Sequence, residues 1–181
     1  MRIRDAAVLS LALVSFCAAS GSDAASPNET VNGFYRVYAT FHPSDGIPDA
    51  KARARYEPFL SSGLDGLLIA ADAAGAKFAG KNKDSPPLME GDLFTSNFEG
   101  ASTWTVRDCS TSAGGARCRV DLTFDPADGK NKPVAWTDTV YLVRGGASWR
   151  VDDIGYGGNW AFGNKGRLTD TLKDAIRDAG S

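Results

Sequence analysis

Histidine is all but missing from this 181-residue sequence, which has only His42. One imidazole excludes a multi-histidine metal site and leaves any proton-transfer chemistry to carboxylates. An excess of one charge is lacking too: 20 Lys and Arg stand against 22 Asp and Glu, a formal charge of −2. With no basic surplus to neutralise phosphates, nucleic-acid binding is excluded. Long apolar runs are also absent. The stretch Ala6–Ala19 (AAVLSLALVSFCAA) falls short of the roughly 18–20 residues that span a bilayer. Cysteine is scarce, at three residues. No Ser or Cys stands in a recognisable arrangement with His42, so no nucleophilic triad can be argued, and His42, just before Pro43, reads as a solvated helix end.

What is present begins with an export pattern. Residues 1–25 read as a signal peptide: Arg2 and Arg4 open it, Asp5 interrupts, the apolar stretch follows, and Ser22 and Ala24 fit the −3 and −1 positions of a cleavage site. The cut falls within residues 19–25. An alternative uses Val14-Ser15-Phe16-Cys17 as a lipoprotein box with lipid on Cys17, although Phe16 stands where a small residue is usual. The expected product is a periplasmic or secreted protein without a transmembrane segment, with residues 26–181 forming one domain. In such a compartment Cys109 and Cys118, nine positions apart, are expected to form a disulfide.

The mature part changes period midway. Ser26-Pro27-Asn28-Glu29 is a capping box with proline at the first helical position. Val31, Phe34, Tyr35 and Tyr38 then make one apolar helical face. A short Ala/Arg helix ends near Tyr56 before Pro58. Ser61 or Ser62 caps a third helix with Leu64, Leu67, Leu68, Ala71, Gly75 and Phe78 on one stripe; Ala71 and Gly75 invite a close neighbour. From Ser96 onward, alternation predicts four strands in consecutive hairpins, turning at Ala113-Gly114-Gly115, within 125–133, and at Gly145-Gly146. Leu168, Leu172, Ala175, Ile176 and Ala179 predict a terminal amphipathic helix. The class is α+β: N-terminal helices packed on a curved antiparallel sheet, then a C-terminal helix. One parity conflict stands out. Val106 facing Val120 and Cys109 facing Cys118 cannot share one regular register, so a bulge, or a bridge made in the loop, is required.

The candidate binding residues are Asp92, Asp138, Asp153, Tyr156 and Trp160. If Gly145-Gly146 is a two-residue turn, Leu142 faces Trp149, Val140 faces Val151, and Asp138 faces Asp153. Two opposed carboxylates beside a core must share a proton, bind a cation or be held by donors, which makes them a candidate acid/base dyad or simply a hydrogen-bonded pair. Asp92 reads either as the organiser of an Asx turn or as a group at the same cavity mouth. Tyr156 and Trp160 add aromatic surface to a pocket. Gly155-x-Gly157-Gly158 lacks the Lys-Ser/Thr ending of a phosphate loop, and Asp125, Asp128 and Asn131 have the wrong spacing for a calcium loop, leaving a turn. Neither a metal nor a cofactor is expected.

Two strings, Pro87-Leu88-Met89-Glu90-Gly91-Asp92-Leu93-Phe94-Thr95-Ser96 and Trp149-Arg150-Val151-Asp152-Asp153-Ile154-Gly155-Tyr156-Gly157-Gly158, stand out. With Trp160-Ala161-Phe162-Gly163, Phe34-Tyr35 and Pro58-Phe59-Leu60-Ser61, they resemble the bacterial exported family of unknown function called YbjP/YqhG, over roughly residues 30–172. The resemblance implies a cone-shaped fold similar to nuclear transport factor 2 and carries no catalytic residue with it. Such folds often dimerise through the sheet, so a homodimer is left open. Two functions follow as expectations. The first is a periplasmic binding or interaction module that takes an unknown small ligand or a cell-envelope protein, such as an envelope enzyme that it inhibits. The alternative is an isomerase- or dehydratase-like enzyme using a pocket aspartate as general base.

Overall fold

Ser26 opens the first described helix: its hydroxyl accepts the Glu29 N–H at 3.2 Å while its own N–H donates to the Glu29 carboxylate at 2.7 Å. This is the expected capping box, and it starts α1, Pro27–Tyr38. The structure, a computed structural model, describes residues 25–40 and 46–180; the leader, Cys17 and His42 lie outside them. Asp49 caps α2, Ala50–Tyr56, by accepting the Ala52 N–H at 2.7 Å. Pro58 then forces a single 3-10 turn, Glu57–Phe59. Ser61 caps α3, Ser62–Lys81.

The stripe on α3 is buried over its first half only, at Leu64, Leu68 and Ala71. A helix of 20 residues is about 30 Å long, and its later turns run past the core. A Cβ on Gly75 would meet nothing within 4 Å, so the close approach expected there does not occur.

Four strands follow: β1 Thr103–Ser112, β2 Gly115–Phe124, β3 Val134–Gly145 and β4 Ser148–Gly155. They pair antiparallel in the order β1-β2-β3-β4, the expected meander. Helix α4, Leu168–Asp178, returns against α3 and β4. The fold is therefore α+β, with helices before and after one curved sheet. One sheet face is apolar: Val120, Leu122, Trp136, Val140, Leu142 and Val151 are buried with Val31, Phe34, Tyr35 and Tyr38 of α1. The other face carries Thr105, Arg119, Asp121, Thr137 and Thr139, the polar side of an antiparallel sheet that meets solvent.

Two bulges decide what faces what. In β1 the register shifts between Val106, paired with Val120, and Cys109, paired with Cys118. The inserted residue resolves the parity conflict and brings the cysteines directly opposite, with Cα atoms 4.1 Å apart, where they form a disulfide. Closing so short a loop contributes roughly 2–3 kcal/mol by the chain-entropy estimate. The double variant Cys109→Ala/Cys118→Ala is expected to lose that amount in urea denaturation, and added reductant should lower the wild type to match it.

The final hairpin departs from the expected register. Gly145 pairs with Ser148, so the turn is Gly146-Ala147, with Gly146 in the left-handed region at φ +65°. Leu142 consequently faces Val151, and Trp149 faces Arg144. Asp152 is then an extra residue in β4, after which Tyr141 pairs with Asp153 and Val140 with Ile154. The turn moves the pairing by two and preserves the faces; the bulge moves it by one and reverses them. Asp153 is therefore not opposite Asp138, and the opposed-carboxylate dyad does not exist.

Candidate functional site

A buried loop must find partners for its own backbone, and this requirement organises the polar centre of the molecule. Asp92, Leu93, Phe94, Thr95 and Ser96 are all buried although they belong to no helix or strand. Asp92 makes the expected Asx turn, its Oδ1 accepting the Phe94 N–H at 2.8 Å. Its Oδ2 accepts the hydroxyls of Tyr38 at 2.8 Å and Thr95 at 2.5 Å. Three distant side chains hold the loop's carbonyls. Asn164 Nδ2 donates to the carbonyls of Asp92 and Thr95 at 2.6 and 2.8 Å, Tyr156 donates to Leu93 at 2.7 Å, and Tyr35 to Phe94 at 3.3 Å.

Asp138, from the buried face of β3, is the second anchor. Its Oδ2 accepts the Ser96 N–H at 2.8 Å and the Trp136 indole N–H at 3.0 Å. Its Oδ1 accepts the Gly157 N–H at 2.8 Å and the Ser96 hydroxyl. The same hydroxyl accepts the Gly158 N–H at 2.9 Å. The glycine-rich segment after β4 thus gives its amides to a carboxylate of its own chain. Close packing explains the glycine at 157, where a Cβ would fall 2.1 Å from the Thr137 carbonyl oxygen. Because that obstacle is strand backbone, Gly157→Ala is expected to cost about 2–3 kcal/mol, read from the shift in urea midpoint. Trp160 closes this end, its ring edge-on to Trp136 with centroids 5.1 Å apart.

Burial dominates the electrostatics. It pushes the Asp92 carboxyl up to about 7, against the pull of the Thr95, Phe94 and Tyr38 donors, and the Asp138 charge adds to the rise. The Tyr38 hydroxyl is held well above its ordinary value, first by burial and then by Asp92. Tyr35 and Tyr156 are raised for the same reasons, with Asp138 contributing to both. Four cavities of about 260–620 Å³ among the described residues are lined by neither Asp92 nor Asp138. Chemically, this centre anchors a loop.

Asp153 lies elsewhere. It accepts the Ile154 and Thr169 N–H groups at 2.9 and 3.0 Å, the Thr169 hydroxyl at 3.1 Å and Arg167 Nη1 at 3.0 Å. Arg167, the N-cap residue of α4, offers no capping acceptor, so Asp153 supplies it from the neighbouring strand. Beside it an open groove of about 620 Å³ is lined by residues that include Ser110, Ser112, Arg117, Tyr141, Asp153 and Arg167.

Of the five candidate residues, the structure gathers Asp92, Asp138, Tyr156 and Trp160 around one buried loop and sets Asp153 apart. Sequence reasoning missed Tyr38, Thr95, Ser96 and Asn164 as partners of that loop. Thr95 and Ser96 were signalled by their place beside Asp92; nothing local pointed to Asn164. Asp128 accepts the Lys130 and Asn131 N–H groups at 2.8 and 2.9 Å, closing the expected turn. No protein-family model and no curated protein matches the sequence.

Proposed function

We propose that this protein is an exported, non-catalytic binding module that engages a small ligand or a cell-envelope protein. The observation that carries the reading is the division of labour between its two polar regions. Asp92 and Asp138, the residues best suited to acid–base work, are 1% and 0% exposed and spend their oxygens on the protein's own donors. The open groove lies elsewhere, around Tyr141 and Arg167. The isomerase- or dehydratase-like alternative needs a base that a substrate can reach, and Asp153, a candidate aspartate that lines the groove, is already held by Arg167 and the Thr169 N–H.

Export is supported by the leader pattern and by the Cys109–Cys118 disulfide; no helix among the described residues is long and apolar enough to cross a membrane. The order of helices, meander and terminal helix supports the nuclear transport factor 2-like cone within this reading, and with it kinship to the YbjP/YqhG family. Affinity capture from periplasmic extract, followed by mass spectrometry, tests the function. A ligand or envelope protein should be recovered with the wild type and lost with Ser112→Trp, which fills the groove from an exposed strand end. Recovery of neither a protein nor a small molecule overturns the reading.

A further inference from the structure

Strand pairing aligns Ser110, Arg117, Tyr141 and Asp153 across all four strands on the polar face of the sheet. Arg167 reaches over this line from the start of α4. Its guanidinium carbon lies 3.9 Å from the centroid of the Tyr141 ring, and Nη1 donates to Asp153. A guanidinium that is stacked and tethered loses little further freedom on binding. Its side chain is still 43% exposed, and among the described residues only one of its nitrogens is engaged by a carboxylate.

Arg117, in the same groove, donates Nε to Ser110 Oγ at 3.2 Å and pairs with no carboxylate among the described residues. Of the groove's two acids, Asp153 is already committed. Asp153 serves the first turn of α4 and Arg167. Asp152, the bulge residue, sits with Oδ1 3.8 Å from where a Cβ on Gly63 would stand, beside the first turn of α3. Negative charge is favoured there by the aligned peptide dipoles. Arg117 and the outer edge of Arg167 thus stand without a carboxylate partner among the described residues, with the hydroxyls of Ser110, Thr111 and Ser112 in the same lining.

We propose that this groove binds the oxyanion end of a ligand, a carboxylate or a phosphate, between Arg117 and Arg167. The proposal rests on the binding-module reading and gives that module its ligand class. Arginine forks match both anions, and the volume of about 620 Å³ suits a small molecule or the end of a chain.

The test is an NMR titration of the purified protein with inorganic phosphate and, separately, with acetate, at constant ionic strength. Saturable shifts of the Tyr141 ring and the Arg167 side-chain signals are expected, and the anion that produces them identifies the source chemistry. Arg117→Gln should weaken that binding about tenfold, the loss of one charge-assisted contact. Arg167→Lys keeps a cation beside Asp153 but loses the planar fork, and should weaken it as well. Arg107→Gln, on an arginine already paired with Asp121 at 2.8 Å outside the groove, should change nothing. Shifts that fail to saturate, or that weaken equally in Arg107→Gln and Arg117→Gln, overturn the proposal. If no anion binds while Ser112→Trp still abolishes capture, the ligand class falls and the binding module stands. If capture is also indifferent to the groove, both fall.

Discussion

Asp138→Ala is expected to remove about 4 kcal/mol of unfolding free energy, a large part of what a domain of this size possesses. The carboxylate accepts from two backbone amides, those of Ser96 and Gly157, from the Trp136 indole and from the Ser96 hydroxyl. Truncation strands these donors in a site that is 0% exposed at Asp138 itself. Each orphaned buried donor costs about 1–3 kcal/mol. Two effects reduce the sum: the Ser96 hydroxyl can turn to another acceptor, and a buried charge no longer has to be desolvated.

Asparagine is a poor rescue. In one orientation its amide meets the Ser96 N–H, and in the other it meets the Gly157 N–H, so either way two donors collide. Asp138→Asn is accordingly expected to cost about 2–3 kcal/mol. Urea denaturation of both variants checks the claim. An alanine variant within about 1 kcal/mol of wild type would show that Asp138 is not the anchor of the 92–97 loop. A catalytic or ligand-gripping carboxylate would behave oppositely, with function lost and stability kept.

Stability should fall as pH rises from about 4 to about 7. Asp92 is responsible, because its carboxyl has an ordinary value of 3.8 and is pushed up to about 7 in the fold, chiefly by burial. Across that window the folded state holds a proton that the unfolded chain has released, so raising the pH favours unfolding. A difference of that size corresponds to about 4 kcal/mol, fully lost above pH 7 and fully present below pH 4. The protonated acid has a ready partner: it can donate to the Thr95 hydroxyl, which donates onward to the Asn97 carbonyl at 3.3 Å.

Asp121 and Asp128 pull the other way but in a different window. The Arg107 and Thr137 hydrogen bonds to Asp121, and the Asn131 and Lys130 amides on Asp128, hold both carboxyls below the usual range. Their contribution is complete above about pH 4 and disappears as the pH falls further. The stability curve should therefore peak near pH 4 and decline toward neutrality, and Asp92→Asn should flatten that decline. Thermal unfolding at half-unit steps from pH 4 to 8 measures it. A wild-type curve that is level or rising across that range would overturn the assignment to Asp92.

Much of the fold was legible because it is encoded by neighbours. The Ser26–Glu29 box, the apolar face of α1 and the stop at Pro58 act over three or four residues, within reach of a periodicity argument. The meander was equally legible from alternation and turn residues. The disulfide and the β1 bulge were readable together, since two required pairings had incompatible parity and only an inserted residue reconciles them. The site was half legible. Asp92, Asp138, Tyr156 and Trp160 were singled out, with an Asx turn and donor-held carboxylates weighed beside a pocket lining; the structure makes them the fastening of a loop.

By itself, then, the sequence determined the element order, the α+β class, the core faces and the pairing of Cys109 with Cys118. Tertiary structure alone decided the partners of Asp138 and Asp153. Two consecutive glycines, Gly145 and Gly146, allow either of two turns, and the choice sets the register of the last hairpin. A single extra residue at Asp152 then turns Asp153 to the opposite face, toward α4 and Arg167. The partners that bury Asp138 come from Ser96, 42 positions away, and from Gly157, 19 positions away. Hydrophobic period and capping are local and survive in any register. Register and hydrogen-bond closure are not local, because they depend on which backbone amides burial leaves without water, and that is known only when the whole sheet and its covering helices are in place.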